Sequence, residues 1–131
     1  MQTRTAECQC GKVTATCRGE PVRVSVCHCL ACQRRTGSAF AAQARFPRAD
    51  VTIAGETTTW VRVAESGKRS TYHFCPACGS TIAYENEGMD PIAIPLGAFA
   101  DPDFPAPRFS VYEERKHPWT VILGDDVEHE Q

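Results

Sequence analysis

The stretch CPACG at residues 75–79 decides the fold, because its two cysteines, its proline and its glycine are spaced for a tight turn. In such a turn both sulfurs can face one ion, and backbone N–H groups can bond to the first sulfur. Pro76 presets φ within the turn, and Gly79 tolerates a positive φ just after it. A C-x-x-C pair also occurs in redox dithiols, but no thioredoxin-like βαβ pattern precedes this one. The stretch therefore indicates half of a metal site.

A second cysteine pair lies far upstream, in the stretch CQCG at residues 8–11. Structural zinc takes four thiolates in a tetrahedron, and two separate pairs supply that number. Joining the pairs closes a long loop. A metal ion that closes a long loop stabilises the fold most, because it removes the most conformational entropy from the unfolded chain. A set of buried apolar thiols would not explain the paired spacing. We therefore predict a structural zinc site made of Cys8, Cys10, Cys75 and Cys78.

The stretch CHCLAC at residues 27–32 forms another cluster, with three cysteines only. Three protein ligands leave one coordination position open, which is typical of a catalytic or exchangeable zinc ion. An ion in such a site can lower the pKa of an external thiol or polarise a carbonyl oxygen. We predict a second zinc site on Cys27, Cys29 and Cys32.

Two residues compete for the fourth position of this second site. His28 lies between two of the cysteines, but in an extended stretch its side chain points away from theirs, so we expect it to be a neighbour. Cys17 ends a predicted strand and is better explained as a small core residue. A different partition of the eight cysteines between the two sites also stays open.

Two consecutive arginines, Arg34 and Arg35, directly follow the three-cysteine cluster. Their guanidinium groups are suited to holding an anionic substrate group such as a carboxylate. Surface solubility, or neutralisation of an anionic zinc–thiolate site, would explain them equally well. We retain both arginines as candidate substrate-binding residues.

The length of 131 residues and the charge are those of an ordinary single domain. We expect its core to span about residues 5–120 and the acidic tail at 125–131 to fray. The formal net charge of −2 gives no reason to expect a nucleic-acid partner. We see no apolar signal-peptide segment and no run of about 18 apolar residues that would span a membrane. We therefore expect a cytoplasmic protein whose reduced cysteines bind metal.

The pattern of β-branched and aromatic residues between scattered Gly and Pro predicts a mostly β protein. The predicted strands are Lys12–Cys17, Val22–Val26, Ser38–Phe46, Val51–Ile53, Thr57–Val63, Ser70–Phe74, Thr81–Tyr84 and Ile92–Pro95. Short helices are predicted at Cys29–Arg35, ending at Gly37, and at Val111–His117.

Four aromatic side chains receive individual predictions from their sequence context. We expect Trp60 to lie in the core and His73 to hydrogen-bond a thiolate of the four-cysteine site. Phe99 and Phe104 lie in the proline-rich stretch 91–107, which we interpret as an irregular surface loop.

Four ordered motifs resemble those of the glutathione-dependent formaldehyde-activating enzyme family, to which centromere protein V also belongs. They are C-x-C-G at 8–11, C-H-C-x-x-C at 27–32, R-T-G-S at 35–38 and F-C-x-x-C-G-S at 74–80. The resemblance covers about residues 8 to 100, and seven ordered cysteines make it specific. The segment 117–119 also looks like the family's usual ending.

The resemblance implies an Mss4-like zinc-bound β-sheet fold with two zinc ions per chain, one structural and one exchangeable. It implies that a small-molecule thiol such as glutathione binds near the second ion. In the founding enzyme, formaldehyde and glutathione join to give S-hydroxymethylglutathione, the reverse of a carbon–sulfur lyase reaction. The alternative is a non-catalytic zinc-binding scaffold or interaction module with both ions closed.

Overall fold

The computed structural model describes residues 2–131 and is mostly β, with 40% of the residues in strands and 13% in helices. The strands are β1 (Thr3–Glu7), β2 (Thr14–Arg18), β3 (Arg23–Cys27), β4 (Ala41–Phe46), β5 (Val51–Ala54), β6 (Thr58–Val63), β7 (Arg69–Phe74), β8 (Thr81–Asn86), β9 (Ile92–Pro95), β10 (Phe109–Val111) and β11 (Glu128–His129). One α-helix, α1 (Leu30–Thr36), and three 3-10 turns at Arg48–Asp50, Leu96–Phe99 and Glu113–Arg115 complete the described part of the chain.

The strands form two sheets within one domain, which confirms the predicted fold class. The smaller sheet has the antiparallel order β1-β2-β5. The larger sheet has the order β11-β10-β3-β4-β9-β8-β7-β6 and is antiparallel except where β10 pairs in parallel with β3 and β11. No helix in residues 2–131 has the length and apolar character needed to cross a membrane.

The core lies between the two sheets, because each sheet places apolar side chains on one face. Val24 of β3 stands opposite Ala44 of β4, which in turn stands opposite Ile94 of β9. The smaller sheet contributes Ala15 and Cys17 to the same cluster, and Cys17 is fully buried there, as predicted. Alternate residues of β3 and β4 point to the opposite face of the larger sheet.

That opposite face is polar and carries Arg23 and Ser25 of β3 beside Gln43 and Arg45 of β4. The register pairs Ser25 with Gln43 and Arg23 with Arg45, so the four side chains share one face. Cys27, two residues after Ser25, shares that face at the end of the strand. The larger sheet therefore separates the core from a polar surface that begins at the three-cysteine cluster.

The predicted burial of three aromatic side chains is wrong: Trp60 is more exposed than predicted, and Phe99 and Phe104 are more buried. Trp60 does lie in a strand, but β6 is the sheet edge and the side chain is 58% exposed, stacked on Tyr72. Phe99 and Phe104 are each 8% exposed and stack on one another, with ring centroids 4.6 Å apart. The 3-10 turn Leu96–Phe99 packs against β1 and β4, so its aromatic side chain covers one side of the core.

The C-terminal predictions are also wrong. The predicted helix Val111–His117 contains only the 3-10 turn Glu113–Arg115, because residues 109–111 pair with β3 as a strand. The acidic tail is exposed, yet Glu128–His129 pairs with β10 instead of fraying. His129 Nδ1 lies 2.6 Å from a carboxylate oxygen of Glu113, which ties the tail to the rest of the sheet.

Candidate metal centres and the adjoining groove

The four sulfurs of Cys8, Cys10, Cys75 and Cys78 lie within 4.8 Å of one another. The Cys8–Cys10 and Cys10–Cys75 sulfur distances are 3.7 and 3.6 Å. A tetrahedral zinc–thiolate site with Zn–S bonds of about 2.3 Å requires sulfur–sulfur edges of about 3.8 Å. The donor set and its spacing therefore fit one tetrahedral thiolate-bound ion.

Two backbone knuckles hold this cluster, one from each sheet. The N–H of Val13 donates to Cys8 Sγ at 3.3 Å, and the N–H of Ala77 donates to Cys75 Sγ at 3.4 Å. Gly79 has a φ of +79°, and its N–H donates to the carbonyl of Cys75 at 2.8 Å, which closes the second knuckle. The cluster therefore joins the β1–β2 turn of the smaller sheet to the β7–β8 turn of the larger one.

Ser80 connects the two knuckles and favours thiolate at the cluster. Its hydroxyl accepts the N–H of Gln9 at 3.2 Å and lies 3.4 Å from Cys78 Sγ. Hydrogen bonding from the Ser80 side chain, then from backbone groups, lowers the pKa of the Cys78 thiol to about 5. A thiol ionised at neutral pH is the form that ligates metal.

The three-cysteine cluster is built where β3 ends and α1 begins. Cys27 is the last residue of β3, Cys29 is the N-cap of α1, and Cys32 lies in the first turn of the helix. Cys29 Sγ accepts the N–H of Cys32 at 3.4 Å, and Gly37, with a φ of +67°, ends the helix as predicted. The three sulfurs lie within 4.8 Å of one another, so they also can hold a metal ion.

Hydrogen bonds within this cluster shift the pKa values of its cysteines in opposite directions. Hydrogen bonds from the thiols of Cys27 and Cys32 lower the pKa of Cys29 far below its ordinary value. The same contacts, first with Cys29 and then with Cys32, raise the pKa of Cys27, and burial adds to that effect. Hydrogen bonding within the cluster therefore favours the thiolate form that metal ligation requires.

His28 and Cys17 do not join either group of converging sulfurs within residues 2–131. The His28 ring is fully buried and its Nε2 lies 2.9 Å from Ser110 Oγ, on β10. The backbone N–H of His28 donates to the carbonyl of Val111 at 3.0 Å. His28 therefore anchors the cysteine loop to the C-terminal segment, as expected of a neighbour that is not a ligand.

A cavity of about 830 Å³ extends from the three-cysteine cluster over the polar face of the larger sheet. We call this cavity the groove. All three cysteines line it, together with four arginines, Arg23, Arg45, Arg62 and Arg115. Ser25, Gln43, Tyr72 and Tyr84 also line it. The cluster therefore opens onto a large space lined by four arginines, whereas the four-cysteine cluster brings together enough sulfurs to complete a tetrahedral site.

The groove residues were not predicted from the sequence, although one signal in it points to them. In the period-two stretch 23–27, Arg23 and Ser25 must share a face with Cys27. Two polar side chains on the face of a metal ligand are a reason to expect a site there. The contributions of β4 and β8 depend on strand pairing, which the local pattern does not reveal.

Arg34 and Arg35 lie beside the groove and line a second cavity of about 540 Å³ with Trp60 and Tyr72. The guanidinium of Arg35 lies 5.3 Å from the ring centroid of Tyr72 and 4.9 Å from that of Tyr84. Arg34 is exposed. The two neighbours therefore differ: Arg35 is packed over the aromatic wall, and Arg34 points into solvent.

The prediction that His73 hydrogen-bonds a thiolate is wrong. Its Nε2 lies 2.6 Å from a carboxylate oxygen of Glu85, which also forms an ion pair with Arg48. The cause is the register of β7 and β8, which sets His73 opposite Ala83 and two residues from Glu85 on the same face.

Comparisons with known proteins agree with this architecture. A crystal structure of a Rhodobacter sphaeroides protein is similar with a TM-score of 0.57 and 18% sequence identity, over 72% of this chain and 85% of that one. No curated protein sequence matches the chain. The family model described as glutathione-dependent formaldehyde-activating enzyme matches residues 3–115, which include both cysteine clusters. The chain therefore belongs to the glutathione-dependent formaldehyde-activating enzyme family.

Proposed function

We propose that this protein is a zinc-dependent carbon–sulfur lyase that joins a thiol such as glutathione to formaldehyde or a related carbonyl compound. The observation that carries the proposal is the three-cysteine cluster open to the groove. Family membership supports the same reaction class. Cys27, Cys29 and Cys32 would hold the exchangeable ion, and Cys8, Cys10, Cys75 and Cys78 the structural one. The reduced thiols suit a cytoplasmic protein.

The reaction is balanced without an oxidant or a reductant. The thiol sulfur forms a bond to the carbonyl carbon, the carbonyl π bond breaks, and the thiol proton ends on oxygen. Zinc, when bound, stabilises a thiolate and acts as a Lewis acid. The protein contributes the site and the charges that surround it.

Two phenols on the groove wall stay protonated at neutral pH and can donate to the oxygen that develops negative charge. Burial raises the pKa of Tyr84 above its ordinary value, and burial raises that of Tyr72 in the same direction. Arg35 lies over both rings and its charge acts on Cys32, so it favours negative charge at this end of the groove. Fixed hydrogen-bond donors are the usual means of stabilising an oxyanion.

Exchange spectroscopy with carbon-13 formaldehyde and glutathione tests the activity. We expect the zinc-loaded protein to speed exchange between free formaldehyde and S-hydroxymethylglutathione above the spontaneous rate. Cys29→Ala should remove the acceleration. Cys17→Ala is the matched control, because Cys17 is a buried cysteine outside both clusters.

Metal analysis separates the enzyme from a non-catalytic module. We expect two zinc ions per wild-type chain and one per Cys29→Ala chain. One tightly held ion that is unchanged by Cys29→Ala, with no acceleration of exchange, would leave a zinc-binding scaffold as the function. If the wild-type protein holds both ions but does not accelerate exchange, the lyase assignment is wrong and the metal sites remain correct.

A further inference from the structure

Strand β6 is one edge of the larger sheet, and its apolar side chains are exposed to solvent. Its sequence is TTWVRV, in which Trp60, Val61 and Val63 are 58%, 45% and 60% exposed. Trp60 stacks on Tyr72, which lines the groove, so Trp60 lies on the groove face of the sheet. Side chains alternate along a strand, and both valines therefore lie on the opposite face. Apolar side chains exposed along an edge strand mark a site for pairing with another chain.

Within residues 2–131, β6 lacks the features that normally protect a sheet edge. Natural edge strands are very short, or carry lysine, proline or a bulge. The sequence TTWVRV contains neither lysine nor proline, and its register with β7 runs without a shift from Thr58 to Val63. The opposite edge of the same sheet is β11, which has only the two polar residues Glu128 and His129. Of these two edges, β6 is therefore the one suited to accept a further strand.

The hairpin of β6 and β7 determines which backbone groups of β6 face outward. The N–H of Ala64 donates to the carbonyl of Lys68 on the returning chain at 2.9 Å. Arg69, which pairs with Val63, directs its backbone away from β6, since its carbonyl accepts the N–H of Glu87 at 2.8 Å. Hydrogen-bonding direction alternates along an antiparallel strand, so the even-numbered residues of β6 bond to β7 and the odd-numbered residues face outward. The outward residues are Thr59, Val61 and Val63.

Two copies of β6 can pair antiparallel in one register that uses all three outward residues. Val61 then lies opposite Val61 of the second copy, on a two-fold axis, and Thr59 lies opposite Val63. On the groove face, Trp60 of each copy lies opposite Arg62 of the other, where a guanidinium can lie over the indole ring. Sliding one strand by two residues would set Trp60 opposite Trp60, or Arg62 opposite Arg62 with like charges together. The register centred on Val61 is therefore complementary in both hydrogen bonds and charge.

We propose that β6 is a homodimerisation surface, on which a second copy of this chain adds its own β6 in the register centred on Val61. The two larger sheets then form one continuous sheet across a two-fold axis. Opposed side chains lie on the same face of a sheet, so both grooves open on one face of the dimer. Arg62 lines the groove, and Trp60 of the second copy lies beside it. Dimerisation therefore adds an aromatic side chain to the wall of each groove.

Sedimentation velocity of the 131-residue chain over a range of concentrations measures the association. One pair of short strands buries little surface, so we expect a reversible dimer with a dissociation constant in the micromolar range. Val61→Lys places two ammonium groups opposite each other at the axis and should weaken association about tenfold. The matched control is Val22→Lys, because Val22 is similarly exposed and lies outside β6. Its dissociation constant should equal that of wild type.

Two substitutions of Trp60 test the register. Trp60→Glu places a carboxylate opposite Arg62 of the second copy, whereas Trp60→Arg places a second guanidinium there. Both changes remove the same exposed ring, so the difference between them reports only the charge that each variant sets opposite Arg62. We expect Trp60→Glu to dimerise about tenfold more tightly than Trp60→Arg. Equal association of the two variants would show that the register centred on Val61 is wrong.

Amide hydrogen exchange, followed by nitrogen-15 NMR, tests the pairing without any variant. We expect the amides of Val61 and Val63 to exchange more slowly as the protein concentration rises. The amides of Trp60 and Arg62 bond to β7 and should be protected at every concentration. A chain that stays monomeric up to high micromolar concentration would overturn the proposal and leave β6 to a strand of a different protein. A dimer unaffected by Val61→Lys would also overturn it, because the copies would then meet through another surface.

Discussion

The two cysteine clusters differ in how far apart in the chain their members lie, and that difference separates folding from function. The four-cysteine cluster joins residues near 8 to residues near 75 and links two sheets. The three-cysteine cluster takes all its members from six consecutive residues, at the end of one strand and the start of a helix. The first cluster closes a long loop of the chain, whereas the second closes only a short local turn.

The surroundings of the two clusters differ in the same sense. Backbone N–H groups and a positive-φ glycine shape the four-cysteine knuckles, whose four sulfurs converge. The three-cysteine cluster faces the groove and is anchored behind by His28 and Ser110. We therefore expect the fold to depend on the first cluster and to tolerate loss of the second.

Removing one member of the four-cysteine cluster should have the largest effect. We expect Cys78→Ser to be unfolded or poorly soluble, because structural zinc in finger peptides contributes about 10–16 kcal/mol, comparable to the entire stability of a domain. Circular dichroism with thermal unfolding, and zinc content by mass spectrometry, measure the result. Cys17→Ala should stay folded with full zinc, and a folded Cys78→Ser protein with full metal content would refute the site.

Removing one member of the three-cysteine cluster should change chemistry more than folding. We expect Cys29→Ala to lose one zinc ion and thiol ligation, with a melting temperature within about 5 °C of wild type, since the residue is half-buried and caps only a short helix. Replacing zinc with cobalt allows ligation to be followed by absorption spectroscopy. Adding glutathione should change the sulfur-to-cobalt charge-transfer absorption of the wild-type protein and leave that of Cys29→Ala unchanged. Global unfolding of Cys29→Ala would show that the two clusters do not differ as proposed.

Weakening the anchor behind the second cluster should cost less. Ser110 is fully buried, and Ser110→Ala leaves the His28 ring without its partner, at a cost of about 1–3 kcal/mol. Because His28 anchors the loop that carries the three cysteines, losing its partner should also lower the affinity of this cluster for its ion. Competition with a chelator should therefore remove one ion from Ser110→Ala more easily. Ser38→Ala, at an exposed serine, is the control, and equal chelator resistance of the two variants would contradict the anchor role.

The sequence predicted the parts of this molecule that local chemistry determines. Cys75 and Cys78 with Gly79 form the expected knuckle, and Gly37 ends the expected helix at the positive φ that glycine favours. Period-two alternation placed β3 within one residue of its observed bounds. These features follow from neighbours in the chain, so a single sequence contains them.

The parts that failed depend on long-range pairing. Trp60 reads as a core residue until β6 is known to be the edge of the larger sheet, and Phe99 reads as a surface residue until its turn packs on β1. Gln43 and Arg45 line the groove only because β4 pairs with β3 in one register. A shift of one residue would send these side chains to the core face.

The smallest expected effect separates the two consecutive arginines. Arg35 packs over Tyr72 and Tyr84, whereas Arg34 is exposed, so Arg35→Gln should lower the free energy of unfolding by about 0.5–2 kcal/mol. Arg34→Gln should change it by less than about 0.5 kcal/mol. Urea unfolding of both variants measures the difference, and glutathione titration should show weaker binding for Arg35→Gln alone. If both variants lost the same amount of unfolding free energy and of glutathione affinity, the charge of the two arginines, and not the packing of Arg35, would be responsible.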